Sequence, residues 1–462
     1  MFSSRVYADR RRKLRENLSS GLVLFLGNDE SPINYPANQY PFRQDSSFLY
    51  FFGHNKPGLA GLIDLDSGKD CLYGDNLTLE DVVWMGAQPT IQEMAHDVGV
   101  DETNSSSQLK EKIRQALSLK RPIHFLPPYR GNSKLRLAGL LDLSVAEMNL
   151  HASLELIRAV VALRSLKSNE EIEEIENALA VTHAAYAAIA RSAKPGVSEN
   201  AIVGKIQDAV ASHGRRFAYP IILSAHGETL HNLDHGNVLK AKDILLVDCG
   251  SESLEGYASD ITRTFPVGGK FTPEQRDVYQ IVWKTQTEAI AAIKPGVPYR
   301  EIHLKAASVI ASGLKEMGLM RGDTQAAVES GAHALFFPHG LGHMLGLDVH
   351  DMEGLGEDHV GYDETVQRST QFGLGYLRLA KKLQTGNVLT VEPGIYFIPP
   401  LIDQWKAENK FSEFIDYSRV EKFRDARGTR IEDDVLVTEN GFRMLGKPIP
   451  RTVEEIEAAM ST

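Results

Sequence analysis

Short apolar runs bounded by turn residues dominate the first third of the chain. Gly21–Gly27 (GLVLFLG), Phe48–Gly53 (FLYFFG), Ala60–Leu65 (AGLIDL) and Ile123–Leu126 (IHFL) each have the length and bounding residues of a buried strand. Helical spacing predicts a helix from about Ser107 to Leu119. At the N-terminus the basic run Arg10-Arg11-Arg12-Lys13 follows Arg5 where an apolar core would follow in a leader, so this segment reads as an amphipathic helix. Mixed strands and helices over this length predict a self-contained α/β domain. From about Leu154 to Ala193 the pattern becomes helical, and Glu170-Glu171-Ile172-Glu173-Glu174 places acids where the positive end of a helix dipole favours them. The domain boundary is placed near residue 160, giving domains 1–160 and 161–462.

The second part reads as a duplication. A helix ends at Ala193, Lys194-Pro195-Gly196-Val197 interrupts the pattern, and a new helix starts near Ser198. A hundred residues on, a helix opening at Thr272-Pro273-Glu274 runs to Lys294-Pro295-Gly296-Val297, and another starts at Tyr299. Strands follow in both halves. Two helix–KPGV–helix–strand units predict an internally duplicated α/β domain.

Composition narrows the function classes. Hydrophobic residues are 42% and charged residues 24% of the 462, ordinary for a globular protein with a sizeable core. The formal net charge of −11 argues against nucleic acid as a partner. No run approaches the ~18 apolar residues of a transmembrane helix, so no membrane partner is expected. Cys71 and Cys249, the two cysteines, form no CxxC pair and suit a reducing compartment, with the cytoplasm as the expected location.

Candidate chemistry gathers in the second domain. Ile244-Leu245-Leu246-Val247 is a buried strand ending on Asp248, where a carboxylate is costly unless paired or metal-bound. Asp260 falls inside a second strand pattern after a short connection, so antiparallel pairing would bring the two aspartates together. His339, His343 and His350 lie within twelve residues, interleaved with glycines and without an HExxH pattern. Glu392 and Glu432 fall within β-rich apolar runs. Any one of these residues alone reads more readily as a turn, a salt bridge or a satisfied core group. Four carboxylates and an imidazole on separate segments together point to two divalent ions. So oxygen-rich a set suits Mn, with Co or Zn less selectively, and a pair of ions ~3.5–4 Å apart activates water for hydrolysis.

These segments, in this order, resemble the pita-bread metallopeptidases: aminopeptidase P, prolidase and methionine aminopeptidase. The carriers are VDCG (Val247–Gly250), SDITRTFPV (Ser259–Val267), HGLGH (His339–His343), LDVHD (Leu347–Asp351), TVEPG (Thr390–Gly394) and RIEDD (Arg430–Asp434). The resemblance implies metal ligation by Asp248, Asp260, His343, Glu392 and Glu432, with Glu392 doubling as proton shuttle. It implies that His231 and His350 act on the tetrahedral intermediate, and that His339, Arg378 and Arg430 contact substrate. The first domain is similar to that of the proline-specific branch, through Phe42-Arg43-Gln44-Asp45-Ser46, Phe48–Gly53 and Val83-Trp84-Met85-Gly86. That implies peptides with proline in second position as substrates, and dimers or tetramers in which a neighbour's N-terminal domain helps close the site. The two proline-specific activities divide the evidence. Arg378 matches the arginine with which prolidases grip a dipeptide carboxylate, and the Phe42–Gly53 region resembles aminopeptidase P. Xaa-Pro aminopeptidase is the leading expectation, with Xaa-Pro dipeptidase as the alternative and a metal-free binding protein of the same fold third.

Overall fold

In the computed structural model, which describes residues 1–461, the run Leu22–Leu26 is β1. It lies antiparallel to β2 (Ala60–Asp64) and parallel to β5 (Ile123–Phe125). β3 (Asp70–Tyr73) and β4 (Glu102–Asn104) complete a five-stranded sheet of order β4-β3-β2-β1-β5. Leu22, Leu24, Leu62, Ile113, Phe125 and Leu137 form its core, each burial contributing roughly 1.5–3 kcal/mol. Helices α1 (Ser4–Arg15), α2 (Ser46–Phe52), α3 (Leu79–Met85), α4 (Ile91–Asp97), α5 (Ser106–Ser118), α6 (Gly131–Leu141) and α7 (Leu154–Ser165) accompany these strands in the chain.

One expected strand is a helix. Phe48–Gly53 belongs to α2, whose N-terminus is capped by the Asp45 carboxylate accepting from the Phe48 N–H at 2.8 Å. Gly53 (φ 68°) ends it in the left-handed region. Every residue of α2 is buried, so no polar face marks a helical period, and the caps decide. In α1 the basic run is partly interior: Arg11, fully buried, binds Asp70 at 2.6 Å and the carbonyls of Phe51 and Val98.

The chain divides into two compact units, Met1–Arg164 with Met352–His359, and Ser165–Asp351 with Val360–Thr462. The second unit carries the duplication. α8 (Asn169–Ser192) opens with a Ser168/Glu171 capping box, and α9 (Glu199–Ala211) follows the first KPGV. α10 (Pro273–Ala291) and α11 (Tyr299–Glu316) flank the second. The backbone lacing is the same in both halves. Gly196 donates to Leu239 and Gly296 to Leu383, both at 2.8 Å; Glu199 donates to Asn237 and Tyr299 to Lys381, at 2.9 and 3.0 Å. A turn with positive φ at Lys242 (74°) or Gly386 (92°) then leads into β7 (Ile244–Asp248) or its counterpart β9 (Val388–Val391).

β6 (Ile222–Ser224), β7 and β8 (Thr262–Pro266) form one three-stranded sheet. β9, β12 (Asp433–Thr438) and β13 (Gly441–Met444) form another, while β10 (Gly394–Tyr396) pairs with β11 (Gly428–Arg430). β7 and β8 are antiparallel, as expected, but Asp260 precedes β8 and does not lie inside it. Its N–H donates to the Asp434 carboxylate at 3.0 Å, outside the ladder. Glu392 sits between β9 and β10, and Glu432 between β11 and β12, where breaks in the pleat free the side chains from strict alternation. Among the described residues no helix is long and apolar enough to cross a membrane.

Candidate metal centre

The strand ends and breaks of the second unit converge on a cavity of about 620 Å³. Its wall includes all ten residues singled out in the sequence: Asp248, Asp260, His343, Glu392, Glu432, His231, His339, His350, Arg378 and Arg430. Asp260, His343 and Glu432 each place a ligand atom within 4.8 Å of the others. His343 Nε2 lies 3.4 Å from Asp260 Oδ2 and 3.7 Å from Glu392 Oε1. Two features hold His343 there. Its Nδ1 is 3.1 Å from the Met344 carbonyl, so the Nδ1–H donates there and Nε2 turns its lone pair toward the carboxylates. Gly342, before it, packs so closely on the strand bearing Thr390 that an added Cβ would stand 2.0 Å from the Thr390 carbonyl oxygen.

This donor set calls for cations. A neutral imidazole lone pair facing two carboxylates is repulsive unless a proton or metal lies between. The Tyr219 hydroxyl is 2.6 Å from Asp248 Oδ1 and 2.5 Å from Asp260 Oδ1, yet it has one proton to give. Burial, then the two aspartates, keeps that phenol protonated. Burial pushes the Asp260 carboxyl up to about 6, and Glu392 up to about 8, where Asp260 and Asp248 add to the rise and Arg430 opposes it. Asp248 and Glu432 are also raised, by burial first. Carboxylates so far from their ordinary range favour bound cations, and oxygen donors with one imidazole fit hard or borderline divalent ions.

A second network borders the first. Arg430 Nη2 donates to Asp248 Oδ2 at 2.6 Å, Nη1 to the Tyr396 hydroxyl at 2.9 Å, and Nε to Thr262 Oγ1 at 3.1 Å. His339 donates from Nδ1 to the Gly340 carbonyl at 2.8 Å, leaving Nε2 to accept from the Tyr396 hydroxyl at 2.9 Å. Burial, with Arg430 next, drives His339 down to about 3, so its ring is neutral. His350 stands edge-on to His343 with centroids 4.4 Å apart. Burial and then Arg430 hold His231 below its ordinary value. Arg430 thus braces the Asp248 carboxylate as well as lining the cavity. Tyr219, Tyr396 and Thr262, which donates to Glu432 Oε2 at 2.7 Å, were not foreseen from the sequence. Thr262 lies within the SDITRTFPV run but was given no role there, Tyr219 has no motif of its own, and a tyrosine two residues past the TVEPG run was the only signal for Tyr396.

Residues 173–439 match the model of metallopeptidase family M24, and residues 7–124 that of the aminopeptidase P N-terminal domain. The chain is 33% identical to the Xaa-Pro dipeptidase of Homo sapiens over 480 residues, covering 99% of this chain and 93% of the relative. It is 33% identical to a probable Xaa-Pro aminopeptidase of Fusarium vanettenii over 429 residues, covering 91% and 88%. Its fold matches Escherichia coli aminopeptidase P with the inhibitor Pro-Leu at a TM-score of 0.81 and 29% identity, covering 100% of this chain and 98% of the other. Pseudomonas aeruginosa aminopeptidase PepP matches at 0.82 and 26%, with the same coverage. The chain therefore belongs to metallopeptidase family M24, with the pita-bread fold, and is a proline-specific peptidase that works with divalent metal ions.

Proposed function

We propose that this chain is an Xaa-Pro aminopeptidase, cleaving between an N-terminal residue and a following proline in peptides longer than two residues. The observation that carries this is the cavity: its volume of about 620 Å³ exceeds what a dipeptide fills, leaving room beyond the proline. We assign Asp248, Asp260, His343, Glu392 and Glu432 as ligands of two ions, with Mn the best match to four carboxylates and one imidazole. When bound, the ions would supply Lewis acidity and lower the pKa of a water, making hydroxide available near neutral pH.

The chain's own groups do the rest. Glu392, at the cavity wall, takes the proton of the attacking water and delivers it to the departing proline nitrogen. His350 and His231 face the scissile carbonyl and donate hydrogen bonds to the oxygen as negative charge develops there. Neutral His339, with its tautomer fixed by Gly340 and Tyr396, lines the proline side without adding charge. Arg430 opposes the rise that burial imposes on the Asp248 pKa and fixes that carboxylate in place through its 2.6 Å bond.

One observation favours the dipeptidase reading. Arg378 lines the cavity and lies near enough to Glu392 to lower its pKa, where a guanidinium can grip a carboxylate beside the proline ring. The decisive experiment offers Gly-Pro and an Xaa-Pro-Xaa tripeptide to the Mn-loaded enzyme. Faster tripeptide turnover supports the aminopeptidase; turnover of Gly-Pro alone overturns it in favour of the dipeptidase.

The proposal extends to a homodimer or homotetramer in the cytoplasm, where the buried free thiols Cys71 and Cys249 stay reduced. α3 has no buried residue, and Leu79, Val83 and Trp84 are 83%, 75% and 81% exposed. An apolar helix this bare is suited to covering by a second copy. Trp84→Glu should shift the mass measured by light scattering toward the monomer; an unchanged mass argues against this contact.

A further inference from the structure

The loop carrying His231 runs from Ala225 to Asn237 and contains neither helix nor strand. Both of its ends meet one buried side chain. Glu199, the first residue of α9, is fully buried. Its Oε1 accepts from the Ala225 N–H at 2.7 Å and the Ser224 hydroxyl at 3.3 Å. Its Oε2 accepts from the Asn237 N–H at 3.2 Å and Asn237 Nδ2 at 3.0 Å. Ser224 passes the connection on. Its Oγ accepts from the His226 N–H at 2.9 Å and from Nδ2 of Asn232, the neighbour of His231, at 3.0 Å. Among the described residues Glu199 forms no ion pair, so its charge is spent on these four donors.

The far side of the loop is seated on the strand bearing Arg430. Gly227 and Gly428 touch backbone to backbone: a Cβ added at Gly428 would stand 2.2 Å from the Gly227 carbonyl oxygen. Arg427 donates to Glu228 Oε1 at 2.9 Å beside that contact. Leu230 packs against Ile222, Leu246 and Tyr396, while Leu233 is 55% exposed, and beyond these and Ala225 the loop is polar or glycine. Its order therefore depends largely on its polar ties.

We propose that Glu199 is a positioning residue whose carboxylate ties the two ends of the 225–237 loop together and so fixes where His231 stands in the cavity. Its kinetic consequence rests on the role assigned above to His231; its structural consequence does not.

Glu199→Gln keeps the size but replaces one carboxylate oxygen by an amide nitrogen facing two donors. In the metal-loaded enzyme, hydrogen exchange of the 225–237 amides should rise about tenfold or more, while the strand 244–248 stays protected. The same variant should lower kcat, and that loss should largely vanish in a His231→Ala background while persisting beside His350→Ala. Metal content and Tm are measured alongside. Should Glu199→Gln fail to fold, Asn237→Ala removes one tie from the half-buried end of the loop. It should raise exchange in the same peptides about threefold. Unchanged exchange in the loop overturns the clamp, as does a kcat loss that multiplies with His231→Ala. If His231→Ala alone leaves kcat intact, the role of His231 fails, and the exchange result still decides the clamp.

Discussion

Loading the metal centre should release protons, and the number should change with pH as the buried carboxylates dictate. In the metal-free chain Glu392 titrates at about 8 and Asp260 at about 6, both raised chiefly by burial. A cation must displace whatever protons they hold. Near pH 9 neither holds one, and affinity should be flat with respect to this pair. From about pH 8 down to about pH 6 this pair carries one proton, at Glu392. Affinity should then fall about tenfold, or ~1.4 kcal/mol, per pH unit. Over that interval the loss is roughly 100-fold, or ~2.7 kcal/mol. Below about pH 6 Asp260 adds a second proton and the slope doubles. The sign is fixed because the proton-rich form is the metal-free one, so affinity rises with pH. Asp248 and Glu432, also raised, add to the release wherever they hold protons, and the steps belong to the cluster as a whole. Titration calorimetry with Mn at pH 7, in buffers of different ionisation heat, counts the protons. Chelator competition from pH 6 to 9 gives the slope. Affinity that stays constant from pH 6 to 8 with no proton release would refute the reasoning, because carboxyls in this environment cannot bind a cation without losing protons. Glu392→Gln should remove the upper part of the slope.

Glu392→Gln should also lower kcat by ~10²–10⁴-fold while peptide binding largely survives, with bound metal measured in the same sample. Arg378→Ala should cost dipeptide hydrolysis ~2–4 kcal/mol in kcat/KM and leave tripeptides far less affected if the guanidinium grips a terminal carboxylate; equal effects on both substrates rule out that grip. His303 and His333 are buried, neither ring nitrogen of His303 is hydrogen-bonded among the described residues, and burial lowers the two to about 3 and about 4, opposed at His333 by the Ala327 backbone. Both are neutral when folded, so their contribution is complete above about pH 6.5 and is lost as pH falls toward those values. His303→Leu should therefore gain on the native chain by about 2 kcal/mol between pH 7 and pH 5 in denaturant unfolding, and a difference independent of pH would count against it.

Much of the centre was legible because the carboxylates assigned as ligands interrupt otherwise apolar strands. Asp248 stands out at the end of Ile244–Val247, and Glu392 after Val388–Val391; each alone has an ordinary structural reading, and it is their number on separate segments that points to cations. The groups that orient the ligands were not legible. Tyr219 meets Asp248 and Asp260 across 29 and 41 positions, and Arg430 meets Asp248 across 182, separations that no periodicity or local motif encodes. Helix α2 was misread for a related reason: burial on all sides erases the polar face from which a helical period is recognised. Its Asp45 cap and Gly53 stop were in the sequence, and in this case they outweighed the β-propensity of an aromatic run.

The duplication explains why the site forms where it does. The turn after each laced segment leads into β7 or β9; Asp248 is the last residue of β7, and Glu392 immediately follows β9. Two copies of one device thus bring two carboxylates to the same cavity. The copies differ at the equivalent first position of the helix after each KPGV. Where the first helix begins with Glu199, the second begins with Tyr299, whose hydroxyl donates to the Thr390 carbonyl at 2.7 Å. Thr390 also receives the His343 N–H on its Oγ1 at 3.2 Å and lies two residues before Glu392. In one half the helix start holds a loop through a carboxylate; in the other it holds a strand through a phenol. A carboxylate suits the first because a free loop offers N–H donors. A hydroxyl suits the second because the strand edge offers a carbonyl. The side chain at each helix start therefore matches the kind of backbone it secures, and His231 in one half and the His343–Glu392 pair in the other depend on that match.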